Sequence, residues 1–331
     1  MTQNKIQLYG IGNAIMDIIV DISNEDFESL MLTKGSMNLV SEAVQSKIFA
    51  SIASQNQSLA SGGSAGNTII AFQQLGGRSA FTGLLGDDEL GEFYHTEFRS
   101  LGIVFDSEFA KGKSTGTSLI LVTPDSERTM NTFLGVAAEL APNHIKNEVV
   151  ANSEWVYIEG YLLSQPETGY PAALELARVA KKNGAKVALT FSDGFLVSGF
   201  RKELDSIIEL SDLIFANHHE AAVYTKNTDT ERAFQALKQR VSNVVLTRSA
   251  RGALIHYHGR DYDIKAFPCN PVDMTGAGDM YAGAFLYGVL NGYSPDLAGK
   301  GAAYLAMKVI TQIGARLKGD IVTLWKEAIA L

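Results

Sequence analysis

Six short apolar runs, IQLYGIG, SAFTGLLG, WVYIEGYLL, AKVALTF, DLIFAN and NVVLTR, alternate with stretches of helical spacing such as TIIAFQQLGG, ELGEFYHTEFRSLG, TGYPAALELARVAKKNG and TERAFQALKQR. The runs read as strands and the stretches between them as crossover helices. That rhythm means βαβ units and a mostly parallel sheet covered on both faces. Ligands of such sheets gather at the carboxyl ends of the strands, so the connections there are where site residues are to be sought. The chain's 331 residues are enough to bury a sizeable core.

Two regions break the rhythm. Residues 13–22 and 36–40 read as extended segments without crossover helices, and STGTSLILVTPDSERTMNTFLG reads as a hairpin turning at Pro124 to Glu127. Because these segments are discontinuous, they predict a small β-sheet lid on a single domain spanning 1–331, formed by about 13–22, 36–40 and 104–134.

Acids and bases are interspersed around a formal charge of −8, which offers neither nucleic acid nor an anionic membrane a basic face. Cys269 is the single cysteine, so an intramolecular disulfide and a Cys-based zinc site are excluded, as suits a reducing cytoplasm. Gly10, Gly12, Asn13 and Asp17 interrupt the apolar N-terminal stretch, and no apolar run approaches the roughly 20 residues that a membrane span needs. The expectation is a cytoplasmic protein.

Residues 272–285, VDMTGAGDMYAGAF, carry the strongest local signal. Gly276 and Gly278 stand where a helix begins, although a glycine inside a helix costs about 1 kcal/mol relative to alanine. At a helix N-terminus the free N–H groups and the positive dipole end attract anions, and glycine lets a phosphate approach the backbone. Asp279 falls in the first turn. It is either a dipole-compensating acid or a base that takes a proton from an alcohol beside the anion cradle.

Other constellations are weaker when taken singly. SGGSAGNTIIAFQQLGG places Gly62, Gly63 and Gly66 before an apolar helix, with the Asn67 amide able to bond vicinal hydroxyls or simply to sit at a helix start. Asp17 in GNAIMD could hold sugar hydroxyls or face solvent on an edge strand. In ANHHEAAVYT, Asn217 and Glu220 are three apart at a loop-to-helix junction and could point at hydrated magnesium or phosphate. His218 and His219 are adjacent and share no helix face, so they read as polar loop residues. Thr247 and Gly252 in VVLTRSARGALIHYH could contact a nucleotide or form a tight connection. No Walker A pattern occurs, and Ile15 stands where a dinucleotide fingerprint needs glycine.

Taken together, GGSAGN and DMTGAGDMYAGAF resemble the two signatures of the ribokinase-like (PfkB) family of carbohydrate and nucleoside kinases, and the resemblance spans essentially the whole chain. It implies a three-layer α/β/α fold with a β-sheet lid, and ATP-dependent phosphorylation of a primary hydroxyl. Asp279 matches the family's catalytic base, and Gly276, Ala277 and Gly278 its anion hole. Asp17, Gly63 and Asn67, with Asn13 beside them, match residues that hold substrate hydroxyls. Asn217 and Glu220 match an N-x-x-E element that helps organise Mg2+ and phosphate indirectly. Thr247 and Gly252, with Gly278, match ATP-binding positions, although Arg248 to Arg251 depart from the commonest T-x-G-x-x-G form. Asp273 matches a position near which many members bind K+, with Met274 replacing the usual threonine.

The hairpin region is similar in texture to the bacterial adenosine-kinase-like branch. A nucleoside needs an apolar slot for its base, which Met16 and Phe133 could supply unless they serve routine lid packing, whereas Arg128 could reach a phosphate-bearing substrate but reads better as a solvated hairpin charge. The expected partners are ATP and a nucleoside, most of all adenosine, bound by a monomer or homodimer. A sugar kinase of ribokinase or fructokinase type and a non-catalytic nucleotide or metabolite sensor are the alternatives.

Overall fold

The structure, a computed structural model, describes residues 5–53, 55–105, 107, 109–125 and 127–331. Among them, nine strands form the central sheet in the order Arg260–Ile264, Ala253–Tyr257, Val244–Thr247, Leu213–Asn217, Lys186–Thr190, Ser153–Glu159, Ile6–Ile11, Ser79–Thr82 and Val104–Phe105. The first two pairings are antiparallel and the other six parallel. The expected α/β class is therefore borne out.

The apolar strand runs exist because both faces are covered. In Ser153–Glu159, Trp155 and Tyr157 join the core on one face while Val156 and Ile158 join the core on the other. Helices Ser64–Gln74, Ala277–Leu290 and Pro295–Val309 supply Ile69, Phe285 and Leu305 to the first core. Helices Gly169–Lys182, Arg201–Ile208 and Thr230–Lys238 supply Leu176, Leu204 and Leu237 to the second. Burying such a side chain contributes about 1.5–3 kcal/mol, and the two cores together hold the three layers.

Chain order reverses across Ile6–Ile11, which lies between Ser153–Glu159 and Ser79–Thr82. A crevice forms outside the strand ends at such a reversal. Over this end stands a five-stranded sheet in the order Met37–Leu39, Arg128–Phe133, Gly116–Val122, Ile15–Asp21 and Gln57–Gly62. The outer strand Gln57–Gly62 is additional to the expected segments 13–22, 36–40 and 104–134. Val104–Phe105 instead pairs with Ser79–Thr82 in the central sheet, and Phe109–Ala110 pairs with Leu85–Gly86. The turn between Gly116–Val122 and Arg128–Phe133 falls where expected, with Ser126 outside the described residues.

Strand parity corrects the expected role of Arg128. In Arg128–Phe133, residues 128, 130 and 132 share one face, and Met130 and Thr132 line the crevice. Arg128 is consequently buried, and its Nη2 lies 2.7 Å from Asp273 Oδ2, with only 8% and 2% of the two side chains exposed. The pair ties the smaller sheet to the loop preceding Ala277–Leu290. Removing one partner strands a buried charge, so Arg128→Met is expected to cost about 3–5 kcal/mol of stability. Urea unfolding of the variant checks this, and a midpoint equal to that of the parent would contradict it.

Candidate active site

Glu159, Thr190, Asn217 and Thr247 end four neighbouring parallel strands, and all four line one cavity of about 400 Å³. The site therefore lies where an open parallel sheet places it. The start of helix Ala277–Leu290 closes one wall. Its N-cap, Gly276, is left-handed with φ 76°, and Thr275 to Asp279 all face the cavity. Space beyond Gly278 is open, since a Cβ there would meet nothing within 4 Å. That room beside Gly278 at a helix N-terminus is what an anion needs to approach the backbone.

Asp279 stands half-buried beside that turn. Its Oδ1 accepts a bond from Ser64 Oγ at 2.7 Å and its Oδ2 one from Asn67 Nδ2 at 3.2 Å. Burial pushes its carboxyl up to about 6, and the bonds from Ser64 and Asn67 partly offset the rise. Asp279 is thereby placed to be ionised at neutral pH while remaining basic enough to accept a proton.

The residues matched to substrate hydroxyls occupy two neighbouring elements. Gly63 caps helix Ser64–Gln74 at φ 87°, and a Cβ there would lie 2.1 Å from the carbonyl oxygen of Asn13. The resulting close approach brings Asn13, Gly63 and Asn67 into the same wall as Asp17. Asp17 accepts no hydrogen bond from the described residues. Burial pushes its carboxyl up to about 7, opposed by Arg316 and Arg128 and reinforced by Asp279 and Asp273. A carboxylate with vacant acceptor sites in a cavity is well suited to paired hydroxyls. By contrast, the amides of Asn13 and Asn67 are engaged within the protein.

Glu159 was not anticipated. Its Oε1 accepts bonds from Asn13 N and Nδ2 at 2.7 and 2.9 Å, and its Oε2 one from Ala65 N at 2.8 Å. Burial pushes its carboxyl up to about 7 despite these donors. The signal was an acid ending an otherwise apolar strand run. Arg316, which donates through Nε to Asn67 Oδ1 at 3.2 Å, lies in an irregular segment that carried no such signal.

Met16 and Phe133 do not line the cavity. Both pair with Thr117 in one cross-strand row, on the opposite face from Asp17, Ser118 and Thr132. Side chains alternate along a strand, so neighbours of the expected residues take their place: Ile15, Ile120, Met130 and Leu134, with Met37 and Leu39. Tyr161 and Phe195 line the same cavity with ring centroids 6.5 Å apart.

Asn217 and Glu220 form a reciprocal capping box: Asn217 N and Nδ2 donate to Glu220 at 2.9 and 2.6 Å, while Asn217 Oδ1 accepts from Glu220 N at 2.9 Å. Burial pushes Glu220 up to about 7, and nearby Asp193 and Asp279 add to the rise. Gly252 lies outside the cavity. Its φ of 81° and a 1.8 Å clash of any Cβ with Ile264 O make it a requirement of the turn.

The Asp273 carboxylate is engaged within the protein. Its Oδ1 accepts from Thr275 N at 3.0 Å, its Oδ2 from Gly314 N at 2.7 Å, and Arg128 supplies the positive charge. Among the described residues, no helix is long and apolar enough to cross a membrane.

The chain is 35% identical to adenosine kinase from Sinorhizobium meliloti, a solved structure, over 98% of this chain and 100% of that one, with a TM-score of 0.90. A probable sugar kinase from Rhizobium etli is 33% identical over 98% and 99% of the two chains, with a TM-score of 0.91. Ribokinase of Haemophilus influenzae is 30% identical over 79% of this chain and 85% of its own length. The profile of the family described as pfkB family carbohydrate kinase matches residues 35–320. The chain belongs to the pfkB family of carbohydrate kinases and is itself a kinase, using ATP and a small-molecule acceptor.

Proposed function

We propose that the chain is a nucleoside kinase that transfers the γ-phosphoryl group of ATP to the 5′-hydroxyl of adenosine or a close relative. The observation that carries this reading is the division of the cavity. Asp17, Ser118 and Thr132 of the smaller sheet, with Gly63 and Asp279, supply polar groups, while Ile15, Ile120 and Met130 of the same sheet, with Tyr161 and Phe195, add apolar and aromatic surface. A nucleoside is divided in the same way, with a ribose rich in hydroxyls and a flat base that gains from aromatic contact. The likeness to the adenosine kinase of Sinorhizobium meliloti supports the same substrate class.

In this reading Asp17 accepts bonds from the vicinal ribose hydroxyls, which turns the 5′-hydroxyl toward Asp279. Asp279, held by Ser64 and Asn67, takes the hydroxyl proton as the oxygen attacks phosphorus. The amides of Gly276, Ala277 and Gly278 hold the transferring group at the helix N-terminus. Thr247 and Gly278 place the nucleotide along the strand ends. Mg2+ bound with ATP would neutralise phosphate charge. Glu220 and Asn217, already paired with each other and next to Asp193, suit contact with it through water. The smaller sheet acts as the lid that keeps water from the phosphoryl group.

A sugar kinase is the second reading, favoured by the 30% identity to ribokinase. A free sugar would leave the apolar wall uncovered. A non-catalytic sensor would have no use for a base beside an anion cradle.

Incubation with ATP, Mg2+ and separate nucleosides and sugars, followed by ADP release, separates the readings. Adenosine is expected to give the highest kcat/KM; faster turnover of ribose or fructose would favour the second reading, and none at all the sensor. The pH profile adds an independent check. Asp279 and Asp17, raised to about 6 and about 7, must both be ionised to act, so the acid limb of kcat/KM is expected to have its midpoint at about 7, the higher of the two, and to steepen below about 6. A limb near pH 4 would contradict these roles.

A further inference from the structure

Asn67, with Ser64, connects the proposed base to the rest of the wall, and its amide can be turned either way. Only one orientation donates to Asp279. The choice is fixed from behind: Arg316 Nε lies 3.2 Å from Asn67 Oδ1, and a guanidinium has donors but no acceptor. The oxygen of the amide must therefore face Arg316, which leaves Nδ2 for Asp279 Oδ2. Arg316 is itself held, since its Nη1 lies 3.1 Å from Glu97 Oε2. The same carboxylate oxygen accepts from Ser61 N at 3.3 Å and from Ser61 Oγ. Ser61 belongs to Gln57–Gly62, the outer strand of the smaller sheet.

We propose that Arg316 is a positioning residue for phosphoryl transfer, fixing the Asn67 amide so that it donates to Asp279, and that Glu97 couples this arrangement to the smaller sheet through Ser61. The inference rests on the reading of Asp279 as the base. Arg316 makes no hydrogen bond to Asp279 and does not itself line the cavity; it acts through Asn67. Its guanidinium also opposes the upward shift of Asp17, which keeps the second carboxylate of the site available in its charged form. When the smaller sheet is seated, Ser61, Glu97, Arg316, Asn67 and Asp279 form one continuous chain of polar contacts. Displacing the sheet removes Ser61 from Glu97 and loosens the chain at its far end.

Steady-state kinetics with ATP and adenosine test the inference. Arg316→Met is expected to lower kcat roughly 10- to 100-fold, because a misplaced amide misaligns the base, while the KM for ATP stays unchanged. Arg316→Lys, which still donates, restores most of the loss. Asn67→Ala also lowers kcat, and adding Arg316→Met to it brings no further loss, because both act through one amide. An unchanged kcat in Arg316→Met, or losses that multiply in the double variant, would overturn the proposal. Should Arg316→Met fail to fold, Glu97→Gln carries the test: a lowered kcat supports the coupling and an unchanged one overturns it. Asp279→Ala assayed in parallel separates two failures. Turnover in that variant sinks the base assignment and the inference with it, whereas its inactivity beside a wild-type kcat in Arg316→Met sinks the inference alone.

Discussion

A single buried carboxylate holds the two loops that build the polar wall. Glu159, at the carboxyl end of a central strand, binds the backbone and amide of Asn13 with one oxygen and the backbone N–H of Ala65 with the other. These bonds cross 146 and 94 residues of sequence. Through them the segment leading into Ile15–Asp21 and the start of helix Ser64–Gln74 share one anchor, and Asp17, Gly63, Ser64 and Asn67 face one cavity. Burying the charged form is unfavourable, as its raised carboxyl shows. Glu159, Asp17 and Asp279 are all raised in the folded chain, so their ionisation opposes folding as pH climbs from about 4 to about 7. A site that needs concentrated negative charge accepts that cost, and Arg128 and Arg316 reduce it.

The two arginines divide the work. Arg128 pairs with Asp273 and ties the smaller sheet to the C-terminal part, whereas Arg316 bridges Glu97 and Asn67. Both carry contacts between segments distant in the chain, and both oppose the rise at Asp17. The guanidinium is suited to this task because its charge is permanent and its donors point in fixed directions.

Much of this arrangement was legible in the chain. Strand runs without polar alternation announced a sheet covered on both faces, and glycines where a helix starts announced the cradle beside Asp279. Local pattern could place Asp17 on an extended segment but could not settle which of its neighbours shared its face. Met16 and Phe133 were expected at the base slot, and the register rotated both away while bringing in Ile15, Met130 and Leu134. Gln57–Gly62 escaped notice because QSLASG lacks the branched and aromatic residues that mark a strand. Arg128 looked like a surface charge because its pairing with Asp273 joins residues 145 positions apart, read as 273 minus 128. Glu159 had a faint signal, an acid closing an apolar run, while Arg316 had none.

Phosphoryl transfer in the proposed reading depends on Asp279 as the group that receives the hydroxyl proton. Its most direct test is Asp279→Asn, which keeps the size of the side chain and removes its basicity. Calorimetric titration is expected to show ATP and adenosine binding as in the parent, while kcat falls roughly 10²- to 10⁴-fold. Turnover close to that of the parent, with binding intact, would contradict the account.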